Sequence, residues 1–264
     1  MRLSQGHLSL LEICPRQFQY QFLEQLNLQN QSLEDEERLR SGSEFHQIIQ
    51  QRSLQLPIEA LLAKDPQLAQ WFRAFERVMP DFFSSIDVAS ELSESEPVRT
   101  LTYLGHCLVV VYDYLILNPE RALILDWKTY RKPNPSNAIV NSWQSKLYPY
   151  VLHQTSQYPA HHIELRYWFF HHDTAQKLSL PYTDAAHCET DRQLTHLLTQ
   201  LNHWLSDYES HAIPFPQTPD VTTCKHCAYA VRCDRTMDKT EQPDRVIAWD
   251  QIPEVPSTLQ SILQ

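Results

Sequence analysis

The sequence predicts an α/β domain with a mixed sheet. Two observations carry this. Apolar residues recur at three and four along several segments, which is the helical period. Between those segments lie β-rich runs bounded by turn residues, one pair reading as a hairpin. Helices, a hairpin, a helix and another strand in one chain of 264 residues give a single sizeable core of mixed class.

The elements follow in order. "SLLEICPRQFQYQFLEQL" (9–26) has Leu10, Leu11, Cys14, Phe18, Phe22 and Leu26 on one helical stripe. "EERLRSGSEFHQIIQQR" (36–52) is a second helix, with Phe45, Ile48 and Ile49 on its apolar side. A third covers about 67–84 and ends or bends near Pro80. "LTYLGHCLVVVYDYLIL" (101–117) is β-rich, "NPE" makes a turn, and "RALILDWKTY" (121–130) is the returning strand. "NAIVNSWQSKLYPYVLHQ" (137–154) is helical despite Pro149, "HIELRYWFF" (162–170) is a strand, and 189–211 is a long helix. The expected organisation is one domain over 1–236 and a weakly patterned tail over 237–264.

Composition excludes little. No apolar run is long enough to span a membrane, and "MRLSQGHLSL" lacks the pattern of a signal peptide, so a cytoplasmic location is expected. In that reducing setting six cysteines need not pair, and "CKHCAYAVRC" (224–233), a C-x2-C-x5-C cluster, reads as metal-binding. Net charge is −10, which argues against nucleic-acid binding by the body as a whole. The charge is uneven, however. Residues 81–96 carry five acids and no base, while 121–146 hold Arg121, Lys128, Arg131, Lys132 and Lys146 against Asp126 alone.

The chemistry sits on the hairpin. Residues i and i+2 share a face of a strand, so Asp126 and Lys128 project together beside Ala122 and Ile124. An acid and a lysine on an apolar strand are costly unless paired or used. Asp113 on the preceding strand is near enough to meet them across a hairpin. Two carboxylates beside a lysine suit a divalent-metal hydrolase of phosphodiesters, and equally a structural salt bridge at a strand end.

"VVVYDYLILNPERALILDWKTY" resembles the hairpin of the PD-(D/E)XK nucleases, with Asp113 as the first acid and Asp126-Trp127-Lys128 as the (D/E)-x-K. "WQSKLYPYVL" resembles the Q-x-x-x-Y helix of the RecB-like branch, through Gln144 and Tyr148, and "GSEFHQIIQ" the upstream helix whose histidine, here His46, binds metal. The first helix, with its "CP-x-x-F", is similar to that of the iron–sulfur subgroup, which includes AddB-type and CRISPR-associated exonucleases.

The resemblance implies a restriction-endonuclease-like fold. It implies metal binding by His46, Asp113 and Asp126, catalysis by Asp113, Asp126 and Lys128 with Gln144 and Tyr148, and Mg²⁺ or Mn²⁺ as the ion. It further implies a 4Fe–4S cluster on Cys14, Cys224, Cys227 and Cys233 that joins the two ends of the chain. The substrate would be DNA, single-stranded or at ends, with a helicase or other repair or CRISPR subunits as partners. One departure stands out: Val110 occupies the position, three before the first acid, where the family has glycine. The competing expectations are a nuclease-fold DNA-binding subunit that does not cut, and a Cys₃His zinc site that includes His226. Cys107 and Cys188 read as ordinary small apolar residues.

Overall fold

A computed structural model describes residues 1–26, 33–80, 92–134 and 136–235. The chain divides into two compact units, Met1–Pro219 and Asp220–Gln264. The expected tail, 237–264, lies outside the described residues.

The first unit opens with a short strand β1 (Arg2–Leu3), then helices α1 (Gln5–Ile13) and α2 (Pro15–Phe18), the latter running into a π-helical turn, Gln19–Leu23. The single helix expected over 9–26 is therefore broken. Cys14 is extended, at φ −157° and ψ 100°, because the residue before a proline is pushed out of the helical region. Helices α3 (Leu33–Ser53), α4 (Glu59–Lys64) and α5 (Pro66–Val78) follow. α5 starts on Asp65, whose side chain caps the backbone N–H groups of Gln67 and Leu68, with Pro66 in the first turn.

Strands β2 (Leu92–Ser95), β3 (Val98–Tyr103), β4 (His106–Val111), β5 (Tyr114–Asn118) and β6 (Arg121–Lys128) come next. The run read as one strand over 101–117 is thus three pieces. Leu104 and Gly105 both have positive φ, 46° and 83°, and make the two-residue turn between β3 and β4. A bend at Tyr112 and Asp113 then carries the chain from one sheet to another: β4 belongs to a three-stranded sheet of order β1-β4-β3, and β5 to a five-stranded sheet. Helices α6 (Asn137–Val140) and α7 (Trp143–Gln154) lead to β7 (Ile163–His171), β8 (Thr174–Pro181) and the long helix α8 (Asp184–His211). β8 and β2 escaped the sequence reading: both are short on apolar alternation, β8 reading "TAQKLSLP".

The larger sheet has the order β2-β5-β6-β7-β8, with β6 and β7 parallel and its other neighbours antiparallel. β6 is buried on both faces, which explains its near-continuous apolar run. Ala122 and Ile124 join a core with Leu8, Phe18, Leu147, Tyr167 and Leu198, so α1, α2, α7 and α8 cover that face. Leu123, Leu125 and Trp127 join the other core, with Phe45, Trp71, Phe75 and Phe170, so α3 and α5 cover the opposite one. Among the described residues no helix is long and apolar enough to cross a membrane.

The second unit holds two 3-10 turns, Val221–His226 and Val231–Cys233, in its described part. The first is capped by Asp220, whose carboxylate accepts from the backbone N–H of Thr222 at 2.9 Å.

Candidate active site

Alternation on β6 puts Asp126 and Lys128 on the face that also carries Ala122 and Ile124, but at its C-terminal end, where the apolar core stops. Asp126 is 1% exposed. Its Oδ1 lies 2.6 Å from Lys128 Nζ, yet no hydrogen-bond donor of good geometry reaches that oxygen among the described residues. Its Oδ2 accepts a short hydrogen bond from Gln144 Nε2. Gln144 in turn accepts from Lys128 Nζ through Oε1, at 2.9 Å. One amide therefore bridges the acid and the lysine. The helix α7 that delivers it is fixed at its start by the Ser142 hydroxyl, which accepts from the Ser145 N–H. The Lys128 ammonium also stands 5.5 Å over the ring of Tyr167, the residue directly across from Asp126 on β7.

Asp113 is not on the strand that precedes the hairpin turn, as expected, but in the bend between β4 and β5. That placement lets it reach around the end of β6. Its Oδ2 accepts from the backbone N–H of Trp127 at 2.7 Å. Its Oδ1 lies 3.1 Å from His46 Nδ1. His46 comes from α3, on the other side of the sheet, and its Nε2 sits 3.0 Å from the carbonyl oxygen of Trp127. Both ring nitrogens thus face acceptors, an arrangement that only the doubly protonated imidazolium satisfies in full. Gly42, one turn earlier on α3, eases this approach, since a Cβ there would come to 3.1 Å from Thr129 Oγ1, which would have to give by a few tenths of an ångström.

The electrostatics follow from burial. Loss of solvent pushes the Asp126 carboxyl well above the usual carboxylate range, the Asp113 charge adds to this, and Lys128 and His46 oppose it. Burial disfavours the charged His46 ring, but the Asp113 hydrogen bond and charge, with the Asp126 charge, more than reverse that and raise it. For Lys128 burial is likewise outweighed by Asp126, and its value rises. Burial and the Asp126 charge keep the Tyr148 hydroxyl un-ionised.

The structure brings His46, Asp113, Asp126, Lys128 and Gln144 together. Tyr148 lies one turn beyond Gln144 and is buried, with its hydroxyl 3.4 Å from Gln5 Nε2 at the start of α1. Val110 is buried in the core with Leu108 and Tyr112, and its side chain fills the sheet face that the family's glycine would leave open. Glu96 was not singled out from the sequence. It lines the same cavity of about 770 Å³ as His46, Trp127, Lys128 and Tyr130. Its φ is +53°, its N–H donates to the Asp113 carbonyl at 3.2 Å, and its carboxylate accepts from Gln50. Its only sequence signal was membership of the acidic stretch 81–96, which reads as ordinary surface.

Among the described residues no group of three or more His, Cys, Asp or Glu is arranged as a metal cage. The expected four-cysteine cluster of Cys14, Cys224, Cys227 and Cys233 is likewise not among such groups in the described residues. The donor chemistry at His46, Asp113, Asp126 and the Trp127 carbonyl nonetheless fits Mg²⁺ or Mn²⁺, being oxygen-rich with one imidazole. Asp126 Oδ1, buried without a well-aligned donor, is the atom such an ion would satisfy.

The family model of the PD-(D/E)XK nuclease superfamily matches residues 2–234. The chain belongs to this superfamily. Membership implies nuclease chemistry, hydrolysis of a phosphodiester, for which this superfamily typically uses divalent metals. Among solved structures, a "putative exonuclease" from Eubacterium rectale is similar at 10% identity and a TM-score of 0.52, covering 91% of this chain and 91% of that one. At that identity the likeness concerns the fold. SSO0001 is matched at 14% identity and a TM-score of 0.40, over 90% of this chain and 87% of that one. No curated protein matches the sequence.

Proposed function

We propose that this PD-(D/E)XK protein is a Mg²⁺- or Mn²⁺-dependent deoxyribonuclease acting on single strands or DNA ends. One observation carries the reading: Asp126 is buried next to Trp127 and Lys128, which line a cavity with His46, and Lys128 and Gln144 are held on it while Asp113 and His46 clamp the adjoining Trp127 peptide. A salt bridge kept only for stability would be an expensive choice there, since burying such a pair commonly gains nothing over apolar residues.

His46, Asp113, Asp126 and the Trp127 carbonyl are the groups that would hold the ion. When bound, it would polarise the phosphodiester and acidify a coordinated water. The protein's own part is positioning. The Lys128 ammonium has three donors; one goes to Gln144, the charge faces Asp126, and a free donor serves the attacking water. Gln144 fixes the reach of both charged groups. His46 must surrender a ring proton to become a ligand, and Asp113 holds its ring in place meanwhile. Water adds to phosphorus, the P–O bond to the leaving oxygen breaks, and a proton passes to that oxygen.

A second reading, a DNA-binding subunit that does not cut, is favoured by one fact: both carboxylates already have cationic partners. The test is cleavage of end-labelled single- and double-stranded DNA by protein stripped of metal and then given Mg²⁺ or Mn²⁺. We expect products only with metal and wild-type protein, and none from Lys128→Ala. Wild type that never cuts, on any DNA form, refutes the nuclease reading and leaves the binding one.

The iron–sulfur staple is proposed separately. It is supported by the C-x2-C-x5-C spacing, by the "CP" break that leaves Cys14 between two helices, and by the i to i+3 turn in which the Cys227 N–H donates to the Cys224 carbonyl at 3.1 Å.

A further inference from the structure

A second cavity, of about 730 Å³, lies beside the catalytic strand, lined by Arg131, Lys132, Pro133, Asn134, Ser136 and Gln176. Its place follows from sheet register. Lys128 on β6 pairs with Phe169 on β7, and Phe169 pairs with Gln176 on β8. The three stand in one row and share a face. Two strand spacings of ~4.8 Å separate the ends of the row by about 10 Å.

Apart from Pro133 the lining is cation, amide and hydroxyl, without a carboxylate. Lys132 Nζ is tied to the Lys177 carbonyl at 3.1 Å, which holds its charge at the cavity while leaving donors to spare. Among the described residues neither Arg131 nor Lys132 has an acidic partner. The acids of the neighbouring β7–β8 hairpin are already paired, Glu164 with Arg166 and Asp173 with Arg77. Between this cavity and Lys128 sits Tyr130, 43% exposed, its ring braced edge-on against Phe169 at 5.7 Å. A chain of net charge −10 repels a polyanion over most of its surface, so any grip on one must be local.

We propose that this cavity binds a backbone phosphate of the DNA strand flanking the scissile one, with Tyr130 as the stacking surface for an intervening base. The proposal deepens the nuclease reading by assigning that site a strand path. Stacking on a braced aromatic tolerates any base, and the cations read only phosphate, so the subsite selects strand and not sequence.

The test is binding of fluorescent oligo-dT of increasing length to metal-free protein in EDTA, where nothing is cut, across a series of salt concentrations. Arg131→Ala/Lys132→Ala should lower the slope of log K against log salt by about 0.7 per lost phosphate contact. It should also remove the affinity gained on lengthening the strand. Tyr130→Ala should weaken binding about fivefold or more, since stacking contributes ~1–3 kcal/mol per base. Arg121→Ala, a charge at the opposite end of β6, should change neither, and all variants should keep the wild-type melting temperature. The proposal is overturned if the double variant keeps wild-type affinity and slope, or if Arg121→Ala lowers the slope equally. A binding defect in a protein that never cleaves would sink the catalytic reading alone; normal cleavage with no binding defect would sink the subsite alone.

Discussion

Replacing Asp113 separates two jobs that one carboxylate performs. Its Oδ2 is the acceptor for the Trp127 N–H at 2.7 Å, and its Oδ1 meets His46 at 3.1 Å. Trp127 is 1% exposed, so Asp113→Ala strands a buried backbone donor. That costs about 1–3 kcal/mol. The His46 contact is partly exposed and adds up to about 1 kcal/mol. The sum, about 1–4 kcal/mol, corresponds to a fall in Tm of roughly 2–16 °C for a chain of this size. Asp113→Asn behaves differently. Its amide oxygen can still accept from Trp127, and its NH₂ can donate to Nδ1 of a neutral His46 whose Nε2–H stays on the Trp127 carbonyl. Only the charge is lost, and the cost falls to about 1–1.5 kcal/mol, the difference between charge-assisted and neutral hydrogen bonds. Scanning calorimetry of metal-free protein, beside metal-dependent cleavage, reads both effects. The expected pattern is an Ala variant that is unstable and inactive, and an Asn variant that is nearly stable and inactive. Equal melting temperatures for the two would refute the clamp, and a fully active Asn variant would refute the need for the second negative charge.

Three other outcomes are expected. Phe75, fully buried against Trp127 at 5.3 Å and Phe170 at 5.9 Å, underlies the peptide that carries the site; Phe75→Ala should cost about 3–5 kcal/mol, and a loss below about 1 kcal/mol in chemical denaturation would contradict the packing. Asp191 accepts from Tyr150 at 2.6 Å and Tyr103 at 2.8 Å, and these bonds hold its carboxyl below the usual range. A depressed carboxyl gives stability that is present above its unfolded value and lost as pH falls through the folded one. Acid unfolding curves of Asp191→Asn should therefore be flatter than wild type below about pH 4, and parallel curves would remove the network's role. For the iron–sulfur staple, protein purified without oxygen should be brown and contain iron and sulfide. Cys14→Ala and Cys227→Ala should each bleach it, and Cys107→Ala and Cys188→Ala should not. Colourless protein holding zinc, with Cys14 dispensable, would establish the Cys₃His alternative.

What was legible in the sequence was whatever depends on local period. Alternation placed Asp126 and Lys128 on one face of β6, and helical spacing placed Gln144 and Tyr148 on one face of α7. Chain reversals were harder. Leu104 in a left-handed conformation gives no warning by itself, though Gly105 beside it is a turn signal; the change of sheet at Asp113 was hidden in a run as apolar as 101–117. Glu96 and Tyr167 enter the site through tertiary register, one by a positive φ beside Asp113 and one by lying opposite Asp126, and neither leaves a mark in its own neighbourhood. The break at Cys14 could have been read, because the residue before a proline is biased away from the helical region.

The central claim is that the charged cluster at the end of β6 is a metal site and not a self-sufficient salt bridge. Crystals of the protein grown with Mn²⁺ and examined by anomalous diffraction test this most directly. The account predicts a peak within bonding distance of Asp113, Asp126 and the Trp127 carbonyl, with the His46 ring released from that carbonyl. No peak at millimolar Mn²⁺, with His46 still on Asp113 and Lys128 still on Asp126, would contradict it.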